Sequence, residues 1–322
     1  NIIYLNNLKV NLSNNSYSQV FCVDGGQILR YSGVMEIIPQ LIVNSVIAGA
    51  IYSMVTLGFN LIYGTAQFFD LGYGVLTAVG GYAVFYFSKM LGLNIYLSIV
   101  LGVLIAGLIG FLIEKIVYER LRKQKASSMV YMVTALGVMT LLQAVISILF
   151  SSQFQVFPVT INANTYQILG GVITGVQLIT LIISILIMFG LVLLLRFTKF
   201  GKAVKAVSDD VEVSKIVGID TDSIISKVFF LGSAIAGLAG ILVGFDTGIE
   251  PTMGFSLLLK GVIASIIGGI GNIYGGVLGS FLLGFIENFG IWKISGEWKD
   301  AISFAVLIIF LLFRPEGILR KK

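Results

Sequence analysis

The 322-residue chain contains no histidine and a single cysteine, Cys22. One thiol cannot close an intrachain disulfide, and without histidine the familiar zinc-ligand spacings cannot be assembled. Nucleophile–base pairs built on histidine are also missing, which leaves only a Ser–Lys arrangement formally open. No phosphate-cradling G-x-x-x-x-G-K-[ST] run occurs, because Gly201-Lys202 lacks both the upstream glycine and a following Ser or Thr. Catalysis and nucleotide hydrolysis are therefore not expected of this chain, and no cofactor or metal site is read from it. Charge is scarce as well. Charged residues make up 11% of the chain, where soluble domains carry about a quarter.

What fills the space is apolar. Hydrophobic residues account for 57% and the mean hydropathy is +0.98, which makes the chain an integral membrane protein of the all-α class. Thirty-eight glycines stand against four prolines, a ratio suited to helices packed closely through small residues. Apolar segments fall near 37–60, 66–89, 93–117, 128–150, 175–196, 227–249, 255–272, 274–292 and 299–314. They predict a polytopic transmembrane bundle of nine spans, or eight if one glycine-rich segment is re-entrant. Residues 1–34, rich in Asn and Ser, read as a polar extension outside the folded domain 35–320. They lack the basic start and apolar run of a signal peptide.

Three basic clusters set the orientation. Arg120, Arg122, Lys123 and Lys125 form the first; Arg196, Lys199, Lys202, Lys205, Lys215 and Lys227 the second; Arg314, Arg320, Lys321 and Lys322 the third. They hold fourteen of the 21 basic residues, so loops 118–127 and 197–226 and the C-terminus are expected on the cytoplasmic side. The net charge of +5 reflects this bias and not nucleic-acid binding. Nine spans put the N-terminus outside; eight move it inside. The loop 151–174, with Asn162 and Asn164, reads as a solvated outer connector with room for a soluble partner.

The two halves echo each other at an offset near 187 residues. Ser45-Val-Ile47-Ala48-Gly49 recurs as Ser233-Ala-Ile235-Ala236-Gly237. Gly74-Val75-Leu76 with Gly80-Gly81 recurs as Gly261-Val262-Ile263 with Gly268-Gly269, and Gly110 and Glu114 match Gly284 and Glu287. In the topology above these repeats are inverted, a plan that places a substrate path at their interface.

Ionisable groups in or beside apolar spans are the candidates for function, because a charge in lipid costs several kcal/mol or so. These are Asp70, Glu114, Asp246, Lys260 and Glu287. Glu114 and Glu287 are expected to snorkel or cap helix ends, and Asp246 and Glu250 to lie in an outer loop. Asp70 and Lys260 could form a polar pair that lines a path or holds the ends of a zwitterion. The run Gly268-Gly269-Ile270-Gly271-Asn272 reads as a break between helices, whose backbone N–H groups could meet an anion or simply permit close packing. In the long polar loop, Ala203, Ala206, Val207 and Asp210 recur at i, i+3, i+4 and i+7. They form a small-residue face suited to a partner's groove, flanked by Lys202, Lys205 and Glu212.

Several of these stretches resemble the permease subunits of the branched-chain amino acid ABC transporters, nearer the LivH than the LivM type. The resemblance is carried by Ala206, Asp209, Glu212, Gly218-Ile219-Asp220-Thr221-Asp222 and the run Phe229 to Gly240. It continues through Gly254-Phe255 with Lys260, Gly268 to Gly279, and Arg314-Pro315-Glu316-Gly317. It covers about 35–320 and is looser in the first half. The front segment around Tyr63-Gly64, Asp70, Tyr73 and Gly74 departs from the family's usual Asn and His at the positions of Asp70 and Tyr73. That departure leaves urea, short amides or other amino acids open as cargo. The resemblance implies a heteromeric importer in the plasma membrane: a second permease subunit, cytoplasmic ATPases docked on loop 197–226, and an extracytoplasmic binding protein. It also implies that Gly218 belongs to the docking loop, and that Asp70, Tyr73, Gly74, Lys260, Gly268, Gly269, Gly271 and Asn272 are candidates for the path. An ion-coupled secondary transporter working through Asp70 or Asp246 is the rival reading, although it leaves the polar loop without a task.

Overall fold

Each apolar segment of the sequence becomes a helix. The computed structural model describes residues 2–5, 8–11, 21–24, 27–30, 37–157, 165–168, 170–292, 295–314 and 316–319. The helices are α1 (Ile37–Ala66), α2 (Tyr73–Phe85), α3 (Ile95–Ile113), α4 (Glu119–Lys123), α5 (Ser128–Phe150) and α6 (Gly175–Phe197). They continue with α7 (Lys199–Asp209), α8 (Val211–Ile216), α9 (Thr221–Thr247), α10 (Met253–Gly268), α11 (Ile273–Gly290) and α12 (Lys299–Phe313). A wider turn over Glu114–Tyr118 joins α3 to α4. Among the described residues, six helical stretches are long and apolar enough to cross a membrane: Ile37–Ala66, Ile95–Lys123, Ser128–Phe150, Gly175–Phe197, Thr221–Thr247 and Ile273–Gly290. The other three expected spans are the shorter α2, α10 and α12.

Among the described residues, short strands form three antiparallel hairpins: β1 (Ile2–Leu5) with β2 (Leu8–Asn11), β3 (Phe21–Asp24) with β4 (Gln27–Arg30), and β5 (Thr165–Ile168) with β6 (Gly171–Thr174). The first two lie in the stretch read as a polar extension. Asn162 and Asn164 lie outside the described residues, as do Arg320, Lys321 and Lys322.

Polar residues at the segment ends start the helices by satisfying orphan N–H groups. Asn94 accepts from the Tyr96 amide at the head of α3 (3.1 Å). Thr174 and Gln177 exchange hydrogen bonds in a capping box that opens α6. Asn272 accepts from the Tyr274 and Gly275 amides at the head of α11 (3.1 and 3.2 Å).

The packing carries the inverted pattern. α3 runs antiparallel to α9, with Gly110 against Ser233, Glu114 on Ser226 and Arg122 on Asp222. α11 runs antiparallel to α1, with Gly284 against Ser45, Ser280 on Thr56 and Gly276 against Asn60. α2 lies on α3 and α9, as α10 lies on α11 and α1. Exchanging α1, α2, α3 for α9, α10, α11 therefore reproduces the same neighbours with each direction reversed.

The ends of α1, α3, α6 and α10 and the starts of α9 and α11 gather at one end of the bundle. That end also bears α4, α7 and α8 and is called the basic end below. Small residues let the helices approach: a Cβ at Gly268 would overlap the Gly275 carbonyl, and one at Gly275 the Gly268 carbonyl. In lipid, such close contact supplies the dispersion energy that apolar burial supplies in water.

Candidate functional site at the basic end

The polar loop folds as two helices and not one. Thr198 caps α7 by accepting from the Gly201 amide (3.0 Å). Asp210 leaves the helix with an extended backbone and caps α8, accepting from the amides of Glu212 (2.8 Å) and Val213 (3.0 Å). Two of the expected docking residues are thereby corrected. Asp210 is a cap and not the last position of one face, and Val207 is fully buried. Gly201, Val204 and Val207 form the buried stripe of α7, and α7 packs on α1, α6 and α9. Ala203 and Ala206 are half-buried, whereas Lys202, Lys205, Glu212 and Gly218 are exposed.

The free surface lies further on. Ile216 and Val217 are 84% and 73% exposed and Val213 is 54% exposed, an apolar tip at the end of α8. Gly218 closes α8 at φ +87°. Its amide donates to the Lys215 carbonyl (3.0 Å) and the Ile219 amide to the Ser214 carbonyl (3.0 Å), a Schellman stop that favours glycine. The helical spacing of the loop pointed to its small residues. The apolar residues that ended up outside were legible only as Val213, Ile216 and Val217 in a polar stretch.

A cavity of about 520 Å³ separates α7 from the turn between α10 and α11. Asn60, Arg196, Lys205, Asp209, Gly271 and Asn272 supply its polar lining. Asn60, which the sequence reading passed over, ties the site together. Its Oδ1 accepts from the Ser265 hydroxyl and from the Gly271 amide (3.1 Å), and its Nδ2 donates to the Asn272 carbonyl (3.2 Å). An amide inside an apolar span was the available signal. Gly269 and Gly271 take positive φ, +112° and +77°. Several N–H groups of the turn are engaged within the protein: Gly269 on Ser265, Asn272 on Gly269 and Gly276 on Asn272. Ile318 and Leu319 add bonds to the Ile267 and Gly268 carbonyls (2.9 and 3.0 Å). Together with the mutual approach of Gly268 and Gly275, these bonds give the turn a close-packing role.

Asp70 and Lys260 are not brought together. Asp70 is buried in the link between α1 and α2, where its Oδ1 accepts from the Tyr118 hydroxyl (2.7 Å) and the Gly72 amide (2.9 Å). Tyr73, fully buried, donates its hydroxyl to the Val55 carbonyl (3.0 Å). Gly74 meets the Gly254 backbone where α2 and α10 start. These three fix the start of α2.

Lys260 instead joins a cluster toward the other end of the bundle. Its Nζ lies 3.1 Å from Asp300, 3.5 Å from Glu287 and 3.3 Å from the Tyr52 hydroxyl. Glu287 also accepts from Tyr52 (2.6 Å) and Ser303, and Lys299 stands 3.6 Å away. Glu114, at the basic end, pairs with Arg122 (2.7 Å) and accepts from the Ser226 hydroxyl. Both glutamates are fully buried, so neither snorkels; Glu114 stands at the C-cap position of α3. Asp246 sits exposed in the last turn of α9, where Gln177 Nε2 donates to it (3.2 Å).

Comparison with known proteins gives a consistent result. The family described as branched-chain amino acid transport system / permease component matches residues 41–311. The high-affinity branched-chain amino acid transport system permease protein BraD of Pseudomonas aeruginosa is 31% identical over 293 residues, covering 87% of this chain and 95% of that protein. The permease protein LivH of Escherichia coli K12 is 30% identical, over 87% of this chain and 94% of its own. The probable branched-chain amino acid transport permease protein LivH of Methanocaldococcus jannaschii is 27% identical, over 87% and 91%.

Proposed function

The chain belongs to the branched-chain amino acid transport permease family, and from that premise we propose that it forms the membrane path of an ATP-driven importer for branched-chain or related amino acids. It is a multi-pass membrane protein. In this reading the basic end faces the cytoplasm, where loop 197–226 receives an ATPase subunit, and the opposite end meets a substrate-binding protein. The chain itself is non-catalytic. A second permease subunit completes the path; α5, of whose residues only Ala135 and Ile146 are buried, offers an apolar face for it or for lipid.

The observation that carries this reading is the seating of α7. Its Val204 and Val207 are buried against the bundle, while the tip of α8 projects an apolar surface into water. Force applied at that tip therefore reaches α1, α6 and α9 through packed side chains and not through a flexible tether. The cavity between α7 and the Gly271-Asn272 turn leaves room for that movement. Among the path candidates, Gly271 and Asn272 line the cavity and Lys260 keeps 11% side-chain exposure. Asp70, Tyr73, Gly74, Gly268 and Gly269 contribute by holding the helix starts and the hairpin.

The test is uptake of radiolabelled leucine, isoleucine and valine into proteoliposomes holding the complete transporter with its ATPases and binding protein. Uptake that requires ATP and the binding protein is expected. Uptake by this chain alone under a proton or sodium gradient, without ATP, would overturn the reading.

A further inference from the structure

A groove between α3 and α9 runs along the outside of the bundle toward the basic end. Its deeper part, about 420 Å³, is walled by Leu108, Phe111, Phe200, Phe230 and Leu231, with Lys227 at its edge. Its outer part, about 460 Å³, shares Phe111 and Lys227 and adds Lys115, Glu119, Asp220 and Asp222. Apolar walls thus give way to charged ones in the direction in which a bilayer gives way to its headgroups.

The charges in the outer part are mostly spoken for. Lys115 and Lys123 both pair with Glu119 (2.8 and 2.6 Å), and Asp222 pairs with Arg122 (2.9 Å). Among the described residues, Lys227 and Asp220 have no ion pair. Asp220 uses its side chain only to cap α9, accepting from the Ser223 amide (3.2 Å). Asp220 precedes the first turn of α9 and Lys227 lies seven residues further on, so the two fall on one side of the helix, roughly 10 Å apart along the axis. A helical side chain leans toward the helix N-terminus, which carries the Lys227 ammonium toward Asp220 and the basic end. The groove therefore presents one open cation, then one open anion nearer water, above an apolar trough.

We propose that this groove binds a glycerophospholipid with an aminoethyl headgroup. Its acyl chain lies along Phe111, Phe230 and Leu231, its phosphate on Lys227 and its ammonium on Asp220. A phosphoglycerol headgroup supplies no cation for Asp220, and a choline headgroup supplies no N–H donor. Because Phe200 belongs to the first turn of α7, the bound lipid also fills the corner between α7 and the bundle. The inference rests on the membrane setting alone and stands apart from the identity of the cargo.

Native mass spectrometry of the full-length chain, titrated in detergent with dioleoyl phosphatidylethanolamine, phosphatidylglycerol or phosphatidylcholine, tests it. Phosphatidylethanolamine is expected to bind about tenfold more tightly than either other lipid, the scale of one charge-assisted hydrogen bond. Lys227→Gln should remove that advantage and Lys227→Arg should keep it. Asp220→Asn, which still caps α9, should bring phosphatidylethanolamine and phosphatidylglycerol level. Equal binding of all three lipids by the unaltered chain, a preference for phosphatidylglycerol, or a preference that survives Lys227→Gln would each overturn the proposal.

Discussion

Glu114 and Glu287 are buried at opposite ends of the bundle, and each is held by a cation that also reaches an aspartate opening a neighbouring helix. Arg122 bridges Glu114 (2.7 Å) to Asp222 (2.9 Å) at the start of α9. Lys260 bridges Glu287 (3.5 Å) to Asp300 (3.1 Å) at the start of α12. Each glutamate also accepts a hydroxyl from the first helix of the other half, Ser226 of α9 or Tyr52 of α1. The inverted halves are thus tied to each other by an ion pair at the basic end, Arg122 to Asp222, and by the Tyr52 hydroxyl on Glu287 at the other.

Removing the only cation from a buried carboxylate is costly. Arg122→Met leaves Glu114 without its ion pair in a site with no exposure, a loss of about 3–5 kcal/mol. The expected outcome is a marked fall in melting temperature of the purified chain, largely recovered when Glu114→Gln is added. An unchanged melting temperature for the single variant would sink this role for the ion pair.

At the other end Glu287 has two lysines, at 3.5 and 3.6 Å. Lys299→Met or Lys260→Met alone leaves one cation in place and should lower the melting temperature less than Arg122→Met does. The double variant should lower it more than the two single losses added together. Strict additivity would mean that the lysines do not substitute for each other.

Two glycines should respond to the same methyl group to very different degrees. Gly218 has open space around it, so Gly218→Ala costs only its left-handed backbone, about 1–2 kcal/mol, and the loss stays local to α8. Gly268→Ala drives a Cβ into the Gly275 carbonyl and should prevent the α10–α11 hairpin from closing. Accumulation in the membrane, followed by size-exclusion chromatography, should show the first variant near normal and the second nearly absent.

Asn60→Leu keeps the approximate size but loses the partners of Ser265, Gly271 and Asn272. About 1 kcal/mol for each hydrogen bond is expected in stability. A larger fall is expected in ATP-dependent uptake, because the same turn lines the cavity beneath α7. If uptake falls no further than the folded fraction, Asn60 has only a structural role.

The hydropathy record contained nearly all of the architecture. Lipid leaves a segment such as 221–247 little choice but to be a helix, and the match of Ser45 to Gly49 with Ser233 to Gly237 announced the inverted plan. Side-chain partnerships were less visible. The ion pairs of Glu114 and Glu287 were not legible because their cations come from Arg122, Lys260 and Lys299, at distances along the chain that periodicity does not encode. Val207 read as a docking residue because spacing tells which residues share a face and not which face is covered. Asp210 read as helical because its role as a cap depends on a break that the 3.6-residue pattern runs straight through. Asn60 carried no charge and so drew no notice, although an amide in an apolar span needs partners for the same reason.

The central claim is that force enters this permease through the exposed tip of α8. A photo-crosslinking amino acid at position 216, in the assembled transporter, tests it most directly. The account predicts an adduct between this chain and the ATPase subunit, and no such adduct when the same group replaces the exposed Phe289 near the far end of α11. A transporter that takes up substrate normally yet gives no ATPase adduct from position 216 would contradict it.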